Sequence, residues 1–256
     1  MAEENHKPRR RGIYLLPNLF TTAALFSGFY AIVAGMNGRF EAAAIAVFVA
    51  MVLDGVDGRV ARMTQTQSDF GAEYDSLADM VSFGLAPALV MYAWSLHALG
   101  KVGWLCAFVY AAAGALRLAR FNTQVGVADK RYFQGLASPS GAALLAGLVW
   151  VGQDYGLDGA TLRYATAPLT VAAAVLMVSN VRYHSFKELD LKGKVPFVAV
   201  LAVVLVFVFI SIDPPQVLFA LFLAYAVSGP IVTVRLLQKK RRARRRNEAR
   251  EEQGGD

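Results

Sequence analysis

Four aspartates carry the first chemical signal in this chain: Asp54 with Asp57, and Asp75 with Asp79. Residues three or four apart share one face of a helix, so each pair presents two carboxylates on one side. Carboxylates held that close repel one another and resist desolvation. The stretch between them contains no Lys, and Arg59 and Arg62 are too few to neutralise four acids together with a phosphorylated substrate. A hard divalent cation with oxygen ligands meets the need. Two such ions about 3.5–4 Å apart would clamp a diphosphate and stabilise both the entering and the leaving oxygen of a displacement.

Small residues extend the acidic faces. Gly58 is i+4 from Asp54, Ala61 is i+3 from Gly58, and Gly71 stands four residues before Asp75. Such a strip lets helices pack closely, and also lets a flat ring or a phosphate approach the backbone.

The elements that position these residues are apolar. Hydrophobic residues make up 56% of the 256 residues, above the ~45–50% of soluble domains. Eight apolar segments stand out, over residues 15–36, 40–60, 74–97, 102–121, 138–153, 161–181, 195–212 and 215–236. Most approach the ~20 residues a helix needs to cross a bilayer; the fifth is short. Lipid offers backbone groups no partner, so the spacing predicts helices. Pro17, Pro139, Pro196 and Pro215 fall near segment starts, where a missing N–H costs little. The expected fold is all-α: a polytopic membrane helix bundle of about eight transmembrane helices.

Eight spans put both termini on one side. Of the 26 Lys and Arg residues, only Arg39, Lys101 and Arg163 fall in the opposite set of loops. By the positive-inside rule the termini and the acidic cluster are cytoplasmic. The organisation expected is a basic segment 1–12, a membrane domain 13–236 and a basic tail 237–256, solvated and disordered. That tail is an orientation signal that also attracts anionic headgroups. No recognition module accompanies it, which argues against nucleic acid as a partner. Lys7, Arg9, Arg10 and Arg11 precede the first segment without a convincing cleavage site, so it reads as a retained span. The single Cys106 cannot form an intrachain disulfide and reads as a packing residue. His6, His97 and His184 are scattered and no metal site needs them, while Trp94, Trp104 and Tyr164 near segment ends fit an interfacial belt.

Asp54-x2-Asp57-Gly58-x2-Ala61-Arg62-x8-Gly71-x3-Asp75-x3-Asp79 resembles the full signature of the CDP-alcohol phosphotransferases. The resemblance implies Asp54, Asp57 and Asp75 as metal ligands. It implies Asp79 as a further residue at the metal site and as the base for the acceptor hydroxyl. Gly58, Ala61, Arg62 and Gly71 would line the CDP site, with Asn18 and Thr21, i and i+3 on the first span, facing the nucleotide. Asn18 and Thr21 also suit a helix start.

Residues 13–22, 82–88, 117–122 and 178–187 are further similar to the membrane-integral phosphatidylserine synthases of bacteria. So is Phe133-Gln134-Gly135-Leu136-Ala137-Ser138-Pro139-Ser140, with Ala137 where Pro is expected. The resemblance covers about residues 11–230, and the last two segments lie beyond a six-span core common to the wider family. It implies CDP-diacylglycerol and L-serine as substrates, Mg2+ or Mn2+ as cofactor, a homodimer among membrane lipids, and a place in the bacterial inner membrane. Serine's carboxylate calls for a cation. Arg117, Arg120, Arg182 and Lys187 are candidates for it or for phosphate, and Arg120 beside Asn122 and Arg182 beside Tyr183 are the preferred pair; each cation equally suits positive-inside anchoring. The motif itself leaves other acceptors open, such as glycerol phosphate, inositol phosphate or choline. More remote readings are an ion-coupled transporter and a non-catalytic membrane scaffold.

Overall fold

The computed structural model describes residues 15–64, 68–123, 132–184 and 197–253. Its helices are α1 (Leu15–Met36), α2 (Phe40–Thr64), α3 (Asp69–Asp79), α4 (Ala86–Trp94), α5 (Lys101–Thr123), α6 (Ser138–Asp154), α7 (Arg163–Val178), α8 (Phe197–Ile212) and α9 (Pro214–Gln253). Each apolar segment falls on helix. Among the described residues four stretches are long and apolar enough to cross a membrane: Asn18–Met36, Asp69–Trp94, Lys101–Thr123 and Pro214–Arg235. The chain is thus a helical bundle of membrane-protein composition. The non-helical pairing among the described residues is one short antiparallel ribbon, β1 (Tyr132–Gln134) with β2 (Arg182–His184), in which Gln134 stands opposite Arg182.

Three features depart from the sequence expectation. The third segment begins at Asp69, not 74, because Ser68 caps it: the Gly71 N–H donates to Ser68 Oγ at 3.0 Å. The fifth segment, short for a span, becomes the innermost helix. Residues 141–147 of α6 are all buried, since Gly and Ala at its contacts let α2, α4, α7 and α9 approach from all sides. The basic run, expected to be disordered, continues α9 to Gln253. Lys, Arg, Ala and Glu are good helix formers, and extending an existing helix carries no nucleation cost.

The path from α3 to α4 is also irregular. Met80–Leu85 forms a π-helical turn directly after Asp79. Pro87 has no N–H, so the Phe83 carbonyl, four residues back, lacks its usual helical donor. The Tyr110 hydroxyl of α5 donates to it at 3.2 Å. Glycines seat this turn between its neighbours. A Cβ on Gly28 of α1 would lie 2.5 Å from Ser82 Oγ, and one on Gly114 of α5 would lie 3.3 Å from the Gly84 Cα. The Ser82 hydroxyl donates to the Ala24 carbonyl of α1 at 3.1 Å.

The ribbon ties the segment after α5 to the end of α7. Gly135 has φ 80°, and a Cβ there would lie 2.3 Å from the Met177 carbonyl oxygen. Glycine alone fits this crossing, which lets the Gly135 and Leu136 N–H groups donate to Val181 and Leu176.

Candidate active site

α1, α2 and α3 build the acidic cluster. Asp54 and Asp57 leave one face of α2 near its C-terminal end, and Asp75 faces them from α3. One carboxylate oxygen from each of the three lies within 4.8 Å of the others. Asp57 is buried, and the Thr21 hydroxyl of α1 donates to its Oδ2 at 2.7 Å. Asp79, one helical turn beyond Asp75, lies beside Asp54. Both predicted pairs therefore meet, with α1 as a third wall.

The same wall holds the predicted nucleotide residues. Asn18 faces Gly71: a Cβ on Gly71 would stand 3.6 Å from Asn18 Oδ1. One turn on, Thr22 Oγ1 and the Tyr74 hydroxyl are 2.9 Å apart, pinning α1 to α3. Gly58 is half-buried on α2. Ala61 and Arg62 follow on that helix, and their side chains lie outside the described residues.

A donor set of hard oxygens fits a divalent ion. Oxygens on opposite sides of a Mg2+ or Ca2+ ion, bound at about 2.0–2.6 Å, are about 4–5 Å apart, the span seen among Asp54, Asp57 and Asp75. The cluster can hold a divalent metal.

The basic residues divide into two groups. Arg117 on α5 lies in the electrostatic field of Asp79, Tyr225 and Tyr110. Its Nη1 donates to Ser138 Oγ of α6 at 2.7 Å, while its Nε is buried without a hydrogen-bond partner. Arg120, one turn on, donates through Nη2 to Gln134 Oε1 of β1 and to Asn180 Oδ1, the latter at 2.8 Å. Asn122 turns toward the acidic helix, donating to Ser76 Oγ at 3.0 Å.

Tyr183 departs from expectation. It is fully buried, its hydroxyl donates to the Ala226 carbonyl of α9 at 3.0 Å, and its ring lies 5.3 Å from that of Tyr225. A hydroxyl so committed is a packing anchor for α9 rather than a ligand contact. Burial also pushes its pKa up to about 12. Arg182 takes part in the ribbon through its backbone, its side chain being outside the described residues, and Lys187 lies outside them altogether.

Sequence reading missed Tyr74, Ser138, Gln134, Asn180 and Tyr225. Asn180 and Gln134 sit inside the quoted motif segments, and their polarity among apolar neighbours was the available signal. Tyr225 had none, because its role depends on where α9 docks.

The sequence profile described as CDP-alcohol phosphatidyltransferase matches residues 14–181, which hold the whole acidic cluster. The chain belongs to the CDP-alcohol phosphatidyltransferase family. Among its relatives within this family is the CDP-diacylglycerol–serine O-phosphatidyltransferase of Helicobacter pylori, 37% identical over 216 residues, covering 84% of this chain and 90% of the relative. Proteins of the same name from Methanocaldococcus jannaschii and Bacillus subtilis are 34% and 32% identical. These alignments cover 74% and 68% of this chain, and 83% and 92% of those proteins. The family profile ends before α8 and α9.

Proposed function

We propose that this chain is a membrane-integral phosphatidylserine synthase: CDP-diacylglycerol and L-serine give phosphatidylserine and CMP. The observation that carries the reading is the convergence of Asp54, Asp57 and Asp75 within 4.8 Å, with Asp79 alongside, in a chain whose relatives bear that enzyme's name. Asp54, Asp57 and Asp75, with Asp79 at the edge, would hold two divalent ions, Mg2+ or Mn2+. Bound there, the metal supplies charge neutralisation to the diphosphate and to the departing CMP.

The chain's own groups do the rest. Asp79 accepts the proton of the serine hydroxyl, and the freed oxygen attacks the phosphorus that carries diacylglycerol. The bond from that phosphorus to the oxygen shared with CMP breaks, and CMP leaves with the electron pair. Thr21 fixes the Asp57 carboxylate through its 2.7 Å hydrogen bond. Asn18, Gly58, Ala61, Arg62 and Gly71 receive the CDP moiety. Arg117, whose buried Nε has a donor to spare beside Asp79, and Arg120, braced by Gln134 and Asn180, face the serine carboxylate. Asn122, Arg182 and Lys187 complete that flank.

The reading includes eight spans with both termini and the site on the cytoplasmic side, in a bacterial inner membrane, and a homodimer. The charge bias of the loops supports this orientation. CDP and serine would then reach the site from water while the acyl chains stay in lipid.

The test is incorporation of labelled serine into lipid by the purified chain given CDP-diacylglycerol, with and without chelator. Serine label in lipid and CMP release, both lost with chelator, are expected. Label remaining in water while glycerol phosphate or inositol phosphate enters lipid would overturn serine as acceptor. Asp79→Asn should lower turnover at least 100-fold, in line with the loss of a general base, with the protein's elution profile in detergent unchanged. Substantial residual turnover would remove Asp79 from that role.

A further inference from the structure

Arg120, in the last turn of α5, is held by two amide side chains from different parts of the chain. Its Nη2 donates to Gln134 Oε1 of β1 and to Asn180 Oδ1 in the link between α7 and β2, the latter at 2.8 Å. We propose that Gln134 and Asn180 are positioning residues for the acceptor's carboxylate: they orient Arg120 without cancelling its charge. The inference rests on the phosphatidyl-transfer reading above and adds to it the residues that keep that cation available.

The first argument is the kind of acceptor. A guanidinium beside a carboxylate pairs with it, and the pair has little charge left for a ligand. Among the described residues the side chain of Arg120 is held by neutral amide oxygens instead. Gln differs from Glu, and Asn from Asp, by an amide nitrogen in place of one oxygen, so the same hydrogen bonds are made here without the opposing charge. Arg117 shows the contrary arrangement, since Asp79 lies in its field. The second argument is rigidity. Gln134 and Asn180 immediately precede Gly135 and Val181, and the Gly135 N–H donates to the Val181 carbonyl at 2.9 Å. Their spacing is therefore set by a backbone bond at the base of the ribbon. The third is position. Asn122, two residues beyond Arg120, donates to Ser76 Oγ at 3.0 Å, and Ser76 adjoins Asp75 in sequence. The end of α5 is thus fastened to the acidic helix on one side and to the ribbon on the other, with Arg120 between the two attachments. Serine bears its carboxylate on the carbon next to the one that carries the hydroxyl. An acceptor whose hydroxyl reaches the acids presents its anionic group to that flank.

Asn180→Asp and Gln134→Glu each keep the accepting oxygen and add a negative charge. Both are made in the full chain. Initial rates in mixed micelles are read with serine and CDP-diacylglycerol varied in turn, beside thermal unfolding in detergent. Each variant should raise KM for serine about fivefold, the upper scale of an exposed ion pair, and leave KM for CDP-diacylglycerol within about twofold of the parent. The thermal midpoint should hold or rise, because the new carboxylate pairs with Arg120. An unchanged serine KM in both variants overturns the proposal, since it would make the amides a brace indifferent to charge. A rise confined to CDP-diacylglycerol overturns it too, by assigning Arg120 to the phosphates of the lipid. So does a lowered thermal midpoint in both variants, which would mean structural damage. If the unaltered chain releases no CMP from CDP-diacylglycerol and serine, the phosphatidyl-transfer reading itself has failed, whatever the variants do.

Discussion

The Thr21–Asp57 hydrogen bond shows how a neutral side chain can govern a charged site. Asp57 is buried with its Oδ2 accepting from Thr21 at 2.7 Å, so its orientation is set from α1 before any ion arrives. Groups that orient ligating carboxylates typically contribute about 10–100-fold to metal affinity or activity. Thr21→Val keeps the side-chain volume and removes the donor. The Mn2+ or Mg2+ concentration for half-maximal turnover should rise about tenfold, with the maximal rate at saturating metal reduced far less; titration of activity against metal checks this. Arg117 presents a different case. Its guanidinium donates to Ser138 and lies in the electrostatic field of Asp79 and Tyr225, and Lys cannot reproduce that planar fork. Arg117→Lys should raise KM for serine about tenfold or more and leave KM for CDP-diacylglycerol near its original value, as read from initial rates with each substrate varied in turn.

At the scale of elements, the π turn over Met80–Leu85 sets where Asp79 lies relative to α4 and α5. Three contacts hold it: Tyr110 on the Phe83 carbonyl, Ser82 on the Ala24 carbonyl, and the close approach of Gly28. A methyl at Gly28 would meet the Ser82 Cα at 2.7 Å as well as its side chain, so rotation of Ser82 cannot relieve the clash. Gly28→Ala should destabilise the protein by about 1–3 kcal/mol, the usual range for overpacking, and lower turnover by displacing Asp79. Thermal unfolding in detergent, followed beside activity, tests it. Gly38 has nothing within 4 Å of its missing Cβ but a φ of 72°, so its role is the α1–α2 turn rather than packing.

At the scale of the whole molecule, α9 is the last of the described helices and docks on the innermost one, α6. It packs against α6, where Gly147 meets the Phe219 backbone, and receives Tyr183 against Gly229. It also brings Tyr225 toward Arg117. The family profile stops at residue 181, yet α6 and the ribbon both rest on a helix beyond that point. A Cβ on Gly229 would lie 2.3 Å from the Tyr183 ring. Gly229→Leu should therefore undock α9, lowering the thermal midpoint and the detergent-resistant yield together. The proposed orientation has its own check. In a Cys106→Ser background, Asn37→Cys should react with a membrane-impermeant thiol reagent from outside intact cells, and Gln253→Cys only after permeabilisation. Reaction of Gln253→Cys from outside, with Asn37→Cys protected until permeabilisation, would reverse the topology.

The sequence by itself determined the helical bundle and its acidic cluster. Bilayer chemistry leaves an apolar chain little choice but helix, and spacings of three and four residues dictate which aspartates share a face. Local capping and packing were less legible: the start at Asp69 rests on one serine, and the central place of α6 on small residues that look alike whether they face lipid or protein. Only the tertiary structure decided where the candidate side chains around the acids lie. Arg117 and Arg120 lie one turn apart near the end of α5, and Tyr183 lies on the ribbon after α7. Arg117 came to lie beside Asp79, Arg120 between Gln134 and Asn180, and Tyr183 under α9. That outcome depends on how α5, α7 and α9 rotate against one another, and helix rotation is settled by packing across the whole bundle rather than by any one segment's periodicity.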